Sequence, residues 1–284
     1  MTRRPPIGQH FLRNRHVLDR IAAFARLGGK ERVLEIGAGR GALTQRLARV
    51  LAGGGHLTAL EIDSDLVSRL KQEFAEVPHV EILQANALSF DFASLGPRIT
   101  IVGNLPYYAA TGILLRLLPL RETVDKMTLM LQREVAQRLA AQPGRKAYGT
   151  LSIAVQLWNE VTLGFDVPPK AFSPPPKVSS TVIRITPRRT PRVPLKDPDL
   201  FDQVLRASFS QRRKTLLNNL KALYPRWVAT GELAEAIREA GVDPRRRAET
   251  LGIEEFAHLS ECLGTLPRGP KGEEDSIPTR GSSK

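Results

Sequence analysis

The sequence predicts an α/β protein built on a doubly wound parallel sheet, followed by a small all-helical domain. Five apolar runs between residues 30 and 135 have the composition of strands: RVLEIG, HLTALEID, VEILQA, ITIVGN and MTLMLQ. Helical patterns such as GALTQRLARVL lie between them, which is the βαβ rhythm of a parallel sheet. From residue 199 to residue 266 only helical patterns occur.

The chain between these regions predicts further elements of the first domain. LSIAVQLW has apolar residues at helical spacing, EVTLGFDV alternates them as a strand does, and VSSTVIRI is typical of a final strand. The basic, proline-rich segment from Thr186 to Pro198 is typical of a linker. We therefore predict a first domain at residues 1–190, a helical domain at 199–266, and a disordered tail without apolar anchors at 267–284.

The strongest signal in the composition is positive charge. Lys and Arg number 42 against 29 Asp and Glu, which gives a net charge of +13 and a pI near 10.3. Such a surplus attracts polyanions, so nucleic acid is the first candidate partner, with a generally basic solvated surface as the alternative. The surplus is concentrated in clusters, which favours nucleic acid.

Several other classes of protein are disfavoured. No apolar run is long enough to span a bilayer, and the first residues lack the apolar stretch of a signal peptide, so we expect a cytoplasmic protein. The single cysteine, Cys262, leaves no intramolecular disulfide. The five histidines lack the short ligand spacings of a zinc site, so we expect no metal.

A glycine-rich turn follows the first predicted strand of the sheet. VLEIGAGRGALT places Gly37 and Gly39 between an apolar strand and a helix, where open α/β sheets bind ligands. Together with Ala42, and with Glu61 about 20 residues further on, the turn satisfies the dinucleotide fingerprint. An NAD-linked oxidoreductase is therefore one interpretation.

Glu35 favours a different ligand. It precedes the first glycine by two positions, so its carboxylate would lie close to any pyrophosphate bound at the turn, with the wrong sign of charge. A ligand with positive charge and no phosphate suits it better. S-adenosylmethionine, with cationic ammonium and sulfonium groups, is such a ligand, and Glu61 would accept hydrogen bonds from its ribose hydroxyls.

The run ITIVGN ends abruptly in Asn104, Leu105, Pro106 and Tyr107, which by itself is compatible with a simple turn. If this run is the fourth strand of the sheet, its end opens beside the cofactor. The Asn104 side-chain oxygen and the Leu105 carbonyl would then hold the two hydrogens of an adenine N6 amine. Pro106 would fix the turn and Tyr107 would stack on the base, which must be unpaired or flipped out.

The delocalised N6 lone pair makes this amine a poor nucleophile, so its orientation matters. Asn104 cannot accept a proton at neutral pH. We therefore predict catalysis by positioning, with the proton passing to water.

Eight motifs occur in order along the chain: GQHFL, LEIGAGRGALT, LEID, GNLPY, LQREVAQRL, AYGTLS, FSPPPKVSS and FSQRRKTLLNNL. On these motifs the chain resembles the KsgA-type small-subunit (16S) ribosomal RNA adenine N6,N6-dimethyltransferases. The resemblance implies a Rossmann-like class I methyltransferase sheet. It also implies methyl transfer from S-adenosylmethionine to N6 of two adjacent adenosines in the 3′-terminal hairpin of small-subunit rRNA.

The resemblance also implies residue roles. The catalytic corner would comprise Asn104, Leu105, Pro106 and Tyr107, with Phe172 stacking on the target adenine from the other side. The cofactor would be bound by Gln9, His10, Phe11, Leu12, Glu35, Gly37, Gly39, Glu61, Asn86 and Asn104. Two residues depart from the family pattern: Asn86 stands where the family usually has Asp, so we expect weaker cofactor binding, and His10 replaces an asparagine.

Guanidinium groups suit phosphate recognition, so we predict RNA contacts from the basic clusters at Arg145, Lys146, Arg212, Arg213, Lys214, Arg245, Arg246 and Arg247. Arg212, Arg213 and Lys214 are expected to open a helix. The inward face of that helix is predicted to contain Leu216, Leu217 and Leu220.

The expected partner is small-subunit rRNA or a partly assembled small subunit, bound by a monomer without DNA or membrane. Two alternatives stay open beside this one. Large-subunit rRNA methyltransferases of the antibiotic-resistance type share the fold and a similar corner, although PPPKV and SQRRKTL favour the small-subunit branch. A nonenzymatic ribosome-assembly factor on the same fold is the other.

Overall fold

The computed structural model describes residues 10–266, so Gln9 and the predicted tail at 267–284 lie outside the described residues. The chain forms two compact units. The first contains residues up to 142 and residues 147–192, and the second contains residues 143–146 and those from 193 onward. The sequence places residues 143–146 in the first domain, whereas the structure groups them with the second unit. Within the described residues no helix is both long and apolar enough to cross a membrane.

Every strand that the apolar runs predict is present in the first unit. Its strands are β1 (Phe11–Leu12), β2 (Arg32–Ile36), β3 (His56–Glu61), β4 (Val80–Gln84), β5 (Ile99–Asn104), β6 (Val124–Gln132), β7 (Asn159–Val167), β8 (Phe172–Ser173) and β9 (Ser180–Pro187). Its α-helices are α1 (Arg15–Phe24), α2 (Thr44–Leu51), α3 (Ser64–Glu73), α4 (Ala110–Leu117), α5 (Arg133–Leu139) and α6 (Thr150–Trp158).

Seven of these strands form one sheet in the order β4-β3-β2-β5-β6-β9-β7. The strands from β4 to β6 are parallel, and β9 pairs antiparallel with both β6 and β7. The chain moves outward from β2 to β4 and then returns to place β5 on the other side of β2. The predicted doubly wound sheet is thereby confirmed, and its strand order reverses between β2 and β5, where such sheets bind ligands.

Apolar side chains cover both faces of this sheet, as its parallel strands require. On one face Val33 belongs to a buried cluster with Ile21 of α1 and Leu47 of α2. On the other face Leu34 belongs to a second buried cluster with Ile113 of α4. Because both faces are covered, the ends of the strands are left as the place where polar side chains can meet a ligand.

A separate two-stranded sheet joins the start of the described chain to a much later segment. We call it the β1–β8 ribbon. The two strands are antiparallel, with Phe11 opposite Ser173 and Leu12 opposite Phe172. The ribbon therefore brings an N-terminal motif and the FSPPPKV motif side by side within the first unit.

The regular structure of the second unit is helical throughout its described residues, as predicted. Its α-helices are α7 (Pro198–Ser208), α8 (Leu216–Leu220), α9 (Arg226–Ala229), α10 (Glu232–Glu239) and α11 (Ile253–Gly264). Val204, Leu220 and Phe256 are fully buried, and the rings of Phe209 and Phe256 lie 5.8 Å apart.

The helix expected to open at Arg212 begins later, at Leu216. The Thr215 hydroxyl accepts a hydrogen bond from the Asn218 amide, so Thr215 caps the helix, and residues 212–214 form the turn before it. Leu216 is fully buried as predicted, but Leu217 is only partly buried. The basic residues of this motif therefore lie on an exposed turn.

Candidate active site

The carboxyl ends of β2, β3 and β5 open into one pocket of the first unit. All the described residues predicted for catalysis and cofactor binding line it: His10, Phe11, Leu12, Glu35, Gly37, Gly39, Glu61, Asn86, Asn104, Leu105, Pro106, Tyr107 and Phe172. They come together because parallel strands end at the same edge of the sheet, at the point where the strand order reverses.

Three successive backbone amides of the glycine-rich turn form hydrogen bonds within the protein itself. The Gly37 and Ala38 amides donate to the Leu60 carbonyl at 2.9 and 3.0 Å, and the Gly39 amide donates to Glu61 Oε2 at 2.8 Å. A dinucleotide site needs such amides for its pyrophosphate. These amides are therefore not available to bind phosphate, and a ligand at this turn would instead contact the turn's surface and the neighbouring acids Glu35 and Glu61.

The turn approaches its neighbours closely at two glycines. Gly37 and Gly39 have φ of +78° and +58°, in the left-handed region that favours glycine. A Cβ at Gly37 would lie 3.4 Å from the Asn104 carbonyl oxygen, and one at Gly39 would lie 3.3 Å from Phe11 Cδ1. Glycine at these positions keeps a narrow space open between the cofactor turn, the end of β5 and the β1–β8 ribbon.

Glu35 is the most perturbed acid of the pocket. Its side chain is buried, and Oε2 has no hydrogen-bond partner within the described residues. Burial raises the pKa of this carboxyl to about 7, the nearby Thr44 hydroxyl lowers it, and the negative charge of Glu61 raises it further. An unpartnered acid in the wall of a pocket fits a cationic ligand group, which would stabilise the carboxylate form.

Glu61 ends β3, and Asn86 follows the end of β4 by two residues. Glu61 Oε1 accepts from the amides of Ile62 and Asp63 at 2.9 and 3.1 Å, so the carboxylate is fixed in orientation. Asn86 is exposed, and its Oδ1 accepts from the Leu88 amide at 2.9 Å. An amide oxygen has a second lone pair, so Asn86 can still accept a hydrogen bond from a ligand.

The end of β5 presents two oxygen acceptors to the pocket. Neither the Asn104 side chain nor the Leu105 carbonyl forms a hydrogen bond with any described residue. The Leu105 amide is held by the Met130 carbonyl at 3.3 Å, and the Pro106 carbonyl accepts from the Ala109 amide at 2.9 Å. The backbone is thus fixed on both sides, while the two acceptors have no hydrogen-bond donor among the described residues.

Aromatic residues also line the pocket. The Tyr107 hydroxyl lies 2.5 Å from the Ser180 hydroxyl, and burial raises the pKa of the Tyr107 phenol, so the ring is neutral and fixed. The His10 and Tyr107 ring centroids are 5.7 Å apart. Phe172 is buried in the β1–β8 ribbon and lines the same pocket.

Several lining residues were not among those predicted from the sequence. Most are apolar neighbours of predicted ones, and strand spacing alone would have found them. Arg40 is the exception, because it lies in the glycine-rich turn with its guanidinium 4.6 Å from the Phe11 ring centroid. Its position inside the glycine-rich turn is the feature of the sequence that indicates it.

The basic clusters converge within the second unit. The Gly144 amide donates to the Glu249 carbonyl at 2.7 Å, and Arg212 Nε donates to the Glu249 carboxylate at 2.6 Å. The Leu216 amide donates to the Arg246 carbonyl at 2.7 Å. These bonds bring residues 145–146, 212–214 and 245–247 to neighbouring parts of one unit.

The predicted RNA-binding cations fall into two groups. Arg212, Arg245 and Arg246 form ion pairs with Glu249, Asp243 and Glu255, respectively. A second group forms no side-chain hydrogen bond or ion pair with any described residue: Arg145, Lys146, Arg213, Lys214 and Arg247.

The doubly wound sheet, the acidic cofactor wall and the acceptors at the end of β5 define a class I methyltransferase that uses S-adenosylmethionine. Glu35, with its unpartnered oxygen, fits the cationic methionine part of this cofactor. The chain belongs to the ribosomal RNA adenine dimethylase family, whose model matches residues 1–264. The alternative of an NAD-linked oxidoreductase is therefore wrong.

Similar proteins carry related names. The chain is 45% identical over 267 residues to ribosomal RNA small subunit methyltransferase A of Geobacter sulfurreducens, covering 92% of this chain and 95% of that protein. It is 44% identical over 269 residues to the protein of that name from Pseudomonas aeruginosa, covering 93% and 96%. The family resemblance seen in the motifs is thereby confirmed.

Two solved structures are also similar. A dimethyladenosine transferase from Plasmodium falciparum superposes with a TM-score of 0.72 at 27% identity, covering 88% of this chain and 96% of that one. The 23S rRNA methyltransferase ErmE superposes with a TM-score of 0.72 at 26% identity, covering 89% and 99%. The fold is therefore that of class I rRNA methyltransferases.

Proposed function

We propose that this protein transfers methyl groups from S-adenosylmethionine to N6 of two adjacent adenosines in the 3′-terminal hairpin of small-subunit rRNA, giving N6,N6-dimethyladenosine during small-subunit biogenesis. The names of the relatives at 42–45% identity support the small subunit as the target. The observation that carries the chemistry is the pair of available acceptors, Asn104 Oδ1 and the Leu105 carbonyl oxygen, at the end of β5.

These acceptors match the two hydrogens of an exocyclic adenine amine. Its lone pair is delocalised into the ring, so the amine must be turned until the nitrogen lone pair points at the methyl group. Hydrogen bonds to Asn104 and Leu105 would hold N6 in that orientation, and the fixed backbone around Pro106 keeps the acceptors in place. The resulting catalysis is positional, because neither oxygen takes up a proton at neutral pH.

The acidic wall would hold the cofactor. When bound, S-adenosylmethionine supplies an electrophilic methyl group on a sulfonium centre. Glu35 would stabilise its positive charge, Glu61 would accept hydrogen bonds from its ribose, and Asn86 would accept one from its adenine amino group through the second lone pair of Oδ1. Gln9, His10, Phe11, Leu12, Gly37 and Gly39 would complete the pocket.

The target adenine would lie between aromatic rings. Tyr107 would stack on one face and Phe172 on the other, and both line the pocket that contains the acceptors. A base in a continuous helix cannot enter such a pocket, so the adenosine must be single-stranded or flipped out.

The second unit would bind the RNA backbone. Arg145, Lys146, Arg213, Lys214 and Arg247 are exposed or partly exposed and have no acidic partner among the described residues. They would contact phosphates directly and make binding salt-dependent. Arg212, Arg245 and Arg246 would contact phosphates through the guanidinium N–H groups that their acidic partners do not engage. We further propose that the protein acts as a cytoplasmic monomer and does not bind DNA.

One observation favours a second candidate, a large-subunit rRNA methyltransferase: the 23S rRNA methyltransferase ErmE has a similar fold, and the similarity covers 89% of this chain.

The experiment that tests the proposed function uses purified protein, labelled S-adenosylmethionine, and undermethylated small subunits, with large subunits, DNA and an Asn104→Ala variant as controls. Digested nucleosides are identified by mass spectrometry. N6,N6-dimethyladenosine from small subunits alone supports the proposal, and product from large subunits alone favours the second candidate. No transfer despite demonstrated cofactor and RNA binding favours an assembly factor.

A further inference from the structure

A second tyrosine follows the catalytic corner and has no role in the proposed reaction. Tyr108 comes directly after Tyr107 and lines the same pocket, yet 66% of its surface is exposed. We propose that Tyr108 binds the nucleotide next to the target adenosine by stacking on its base, an inference that rests on the proposed function. The target itself would lie between Tyr107 and Phe172.

The fold does not account for the Tyr108 ring. Its side chain forms no hydrogen bond and no ring contact with any described residue. Tyr107, in contrast, is half-buried, and its hydroxyl lies 2.5 Å from the Ser180 hydroxyl. A single exposed aromatic residue is ordinary on a protein surface, so the evidence for a role is its place at the pocket.

The backbone that carries the ring is fixed. The Pro106 carbonyl accepts from the Ala109 amide at 2.9 Å, which closes a turn around Tyr107 and Tyr108. The Ala109 carbonyl in turn accepts from the Ile113 amide at 2.9 Å, within the first turn of α4. One tyrosine is therefore held inside the pocket and the next one at its mouth, with Cα atoms about 3.8 Å apart.

The loop that packs on the start of α4 adds a fixed apolar surface. Leu88 is 41% exposed, and a Cβ at Gly112 of α4 would lie 2.9 Å from Leu88 Cδ2. Arg116 of α4 donates to the carbonyls of Leu88 and Phe90, the second at 2.7 Å, and so holds this loop in place. Apolar and aromatic surfaces contact the face of a base without reading its edge, so the neighbouring base need not be of one type.

The connectivity of RNA explains why a neighbouring base would meet this ring. A base bound in the pocket has left its stack, and a single phosphodiester joins it to a neighbour that has lost a stacking partner. The Tyr108 ring can replace that partner. Because the RNA strand passes the pocket in one direction, a ring on one side of the mouth meets either the 5′ or the 3′ neighbour. The two adjacent adenosines are then unequal substrates.

The test is a double-mutant cycle between the ring and the neighbouring base. Small subunits are reconstituted with rRNA in which one of the two adenosines is replaced. Purine ribonucleoside can stack but has no amine to methylate, whereas an abasic nucleotide can do neither. Each replacement is made on the 5′ side and on the 3′ side of the remaining adenosine. Single-turnover methylation rates and RNA affinities are measured for the wild type and for Tyr108→Ala.

On one of the two sides, loss of the base should slow the wild type more than it slows Tyr108→Ala. We expect this difference to be about 5- to 100-fold, the range of base–aromatic stacking expressed as a ratio. Tyr108→Phe keeps the ring and should behave as the wild type. Leu115→Ala is the matched control, since Leu115 is an exposed apolar residue of α4 outside the pocket lining, and it should keep the wild-type dependence on the base.

Other roles of Tyr108 give different results. A loss of rate in Tyr108→Ala that is equal for purine and abasic substrates on both sides would overturn the inference. A fall in cofactor affinity of the same size, measured by calorimetry, would assign the ring to the adenine of S-adenosylmethionine instead of to RNA. Either result leaves the proposed function intact if the wild type still produces dimethyladenosine from unaltered small subunits.

Failure of the proposed function is recognised separately. It would appear as no methyl transfer by the wild type, even to unaltered undermethylated small subunits. The cycle of RNA affinities requires no methyl transfer, so it would still decide whether Tyr108 stacks on that base.

Discussion

Glu35→Gln should make the free protein more stable at alkaline pH and at the same time weaken its hold on S-adenosylmethionine. The substitution keeps the shape of the side chain and removes its charge. In the free protein the buried carboxylate has no partner for Oε2, so its ionisation opposes folding. With a cationic ligand in the pocket, the same charge becomes favourable.

The size of the effect follows from the pKa of Glu35. The folded chain keeps this proton up to a pH of about 7, against an ordinary value of 4.5. The contribution of protonated Glu35 to the free energy of unfolding is therefore fully present at low pH, and it is lost as the pH rises through 7. The total loss is about 3 kcal/mol, of which about 2.5 kcal/mol falls between pH 5 and pH 8.5. Glu35→Gln does not undergo this loss.

The assay is denaturant unfolding at pH 5 and pH 8.5, with and without cofactor. Trp158 lies in the first unit and Trp227 in the second, so a Trp227→Phe background lets Trp158 fluorescence report the unit that contains Glu35. Glu160→Gln, at an exposed acid of β7, is the matched control and should have no comparable effect. Cofactor affinity of Glu35→Gln should fall about 10- to 100-fold at pH 8.5, as expected for a lost charged hydrogen bond.

A stability difference between wild type and Glu35→Gln that does not change with pH would refute the reasoning. It would mean that Glu35 is ionised or protonated alike in the folded and unfolded chains. An unchanged cofactor affinity would remove Glu35 from the cofactor site and leave its unpartnered oxygen without a ligand.

Three further variants test other parts of the structure. Asn104→Ala should abolish methyl transfer while cofactor affinity, measured by calorimetry, stays nearly intact, because its side chain is assigned to the target amine. Gly55→Ala should lower the melting temperature, because a Cβ there would lie 2.6 Å from Leu51 Cδ2 and 2.9 Å from backbone oxygens, an overpacking cost of about 1–3 kcal/mol. The double variant Arg213→Ala and Lys214→Ala should weaken RNA binding and reduce the magnitude of its log–log salt slope by about 1.4–1.8.

Each of these has a distinct contrary result. A collapse of cofactor affinity in Asn104→Ala would move that residue from the target to the cofactor. An unchanged melting temperature in Gly55→Ala would show that the α2–β3 turn shifts without cost. Arg212→Ala is the matched control for the double variant, since Glu249 already engages its guanidinium. An equal loss of RNA affinity in that control would contradict the distinction between paired and available cations.

The site could be predicted from sequence because its residues occupy the ends of predictable strands. Glu35, Glu61 and Asn104 each follow or end an apolar run, and parallel strands place such positions at one edge of a sheet. Burial of both sheet faces makes those runs nearly continuous, which is why every predicted strand is present. The order of the strands was therefore enough to predict that Glu35, Glu61 and Asn104 lie close together.

Other features depend on contacts between distant residues and left no local signal. The ion pairs of Arg212 and Arg246 use Glu249 and Glu255, and nothing in SQRRKTLLNNL indicates them. The start of α8 was misplaced because basic and apolar residues continue the helical pattern across Thr215, whereas Thr215 is the N-cap and α8 begins only after it, at Leu216. The amides of the glycine-rich turn are engaged by β3, which a motif shared with dinucleotide sites does not reveal.

The β1–β8 ribbon has a consequence for how the protein is made. One strand of it is synthesised before every strand of the large sheet, and its partner emerges only after Ser173 has been synthesised. A nascent chain that has completed the five parallel strands therefore still lacks Phe172, one residue of the aromatic wall of its pocket. The proposed stacking of Phe172 on an adenosine therefore requires nearly all of the first unit to have been translated, and a product truncated before Phe172 should contain the five parallel strands without that stacking partner.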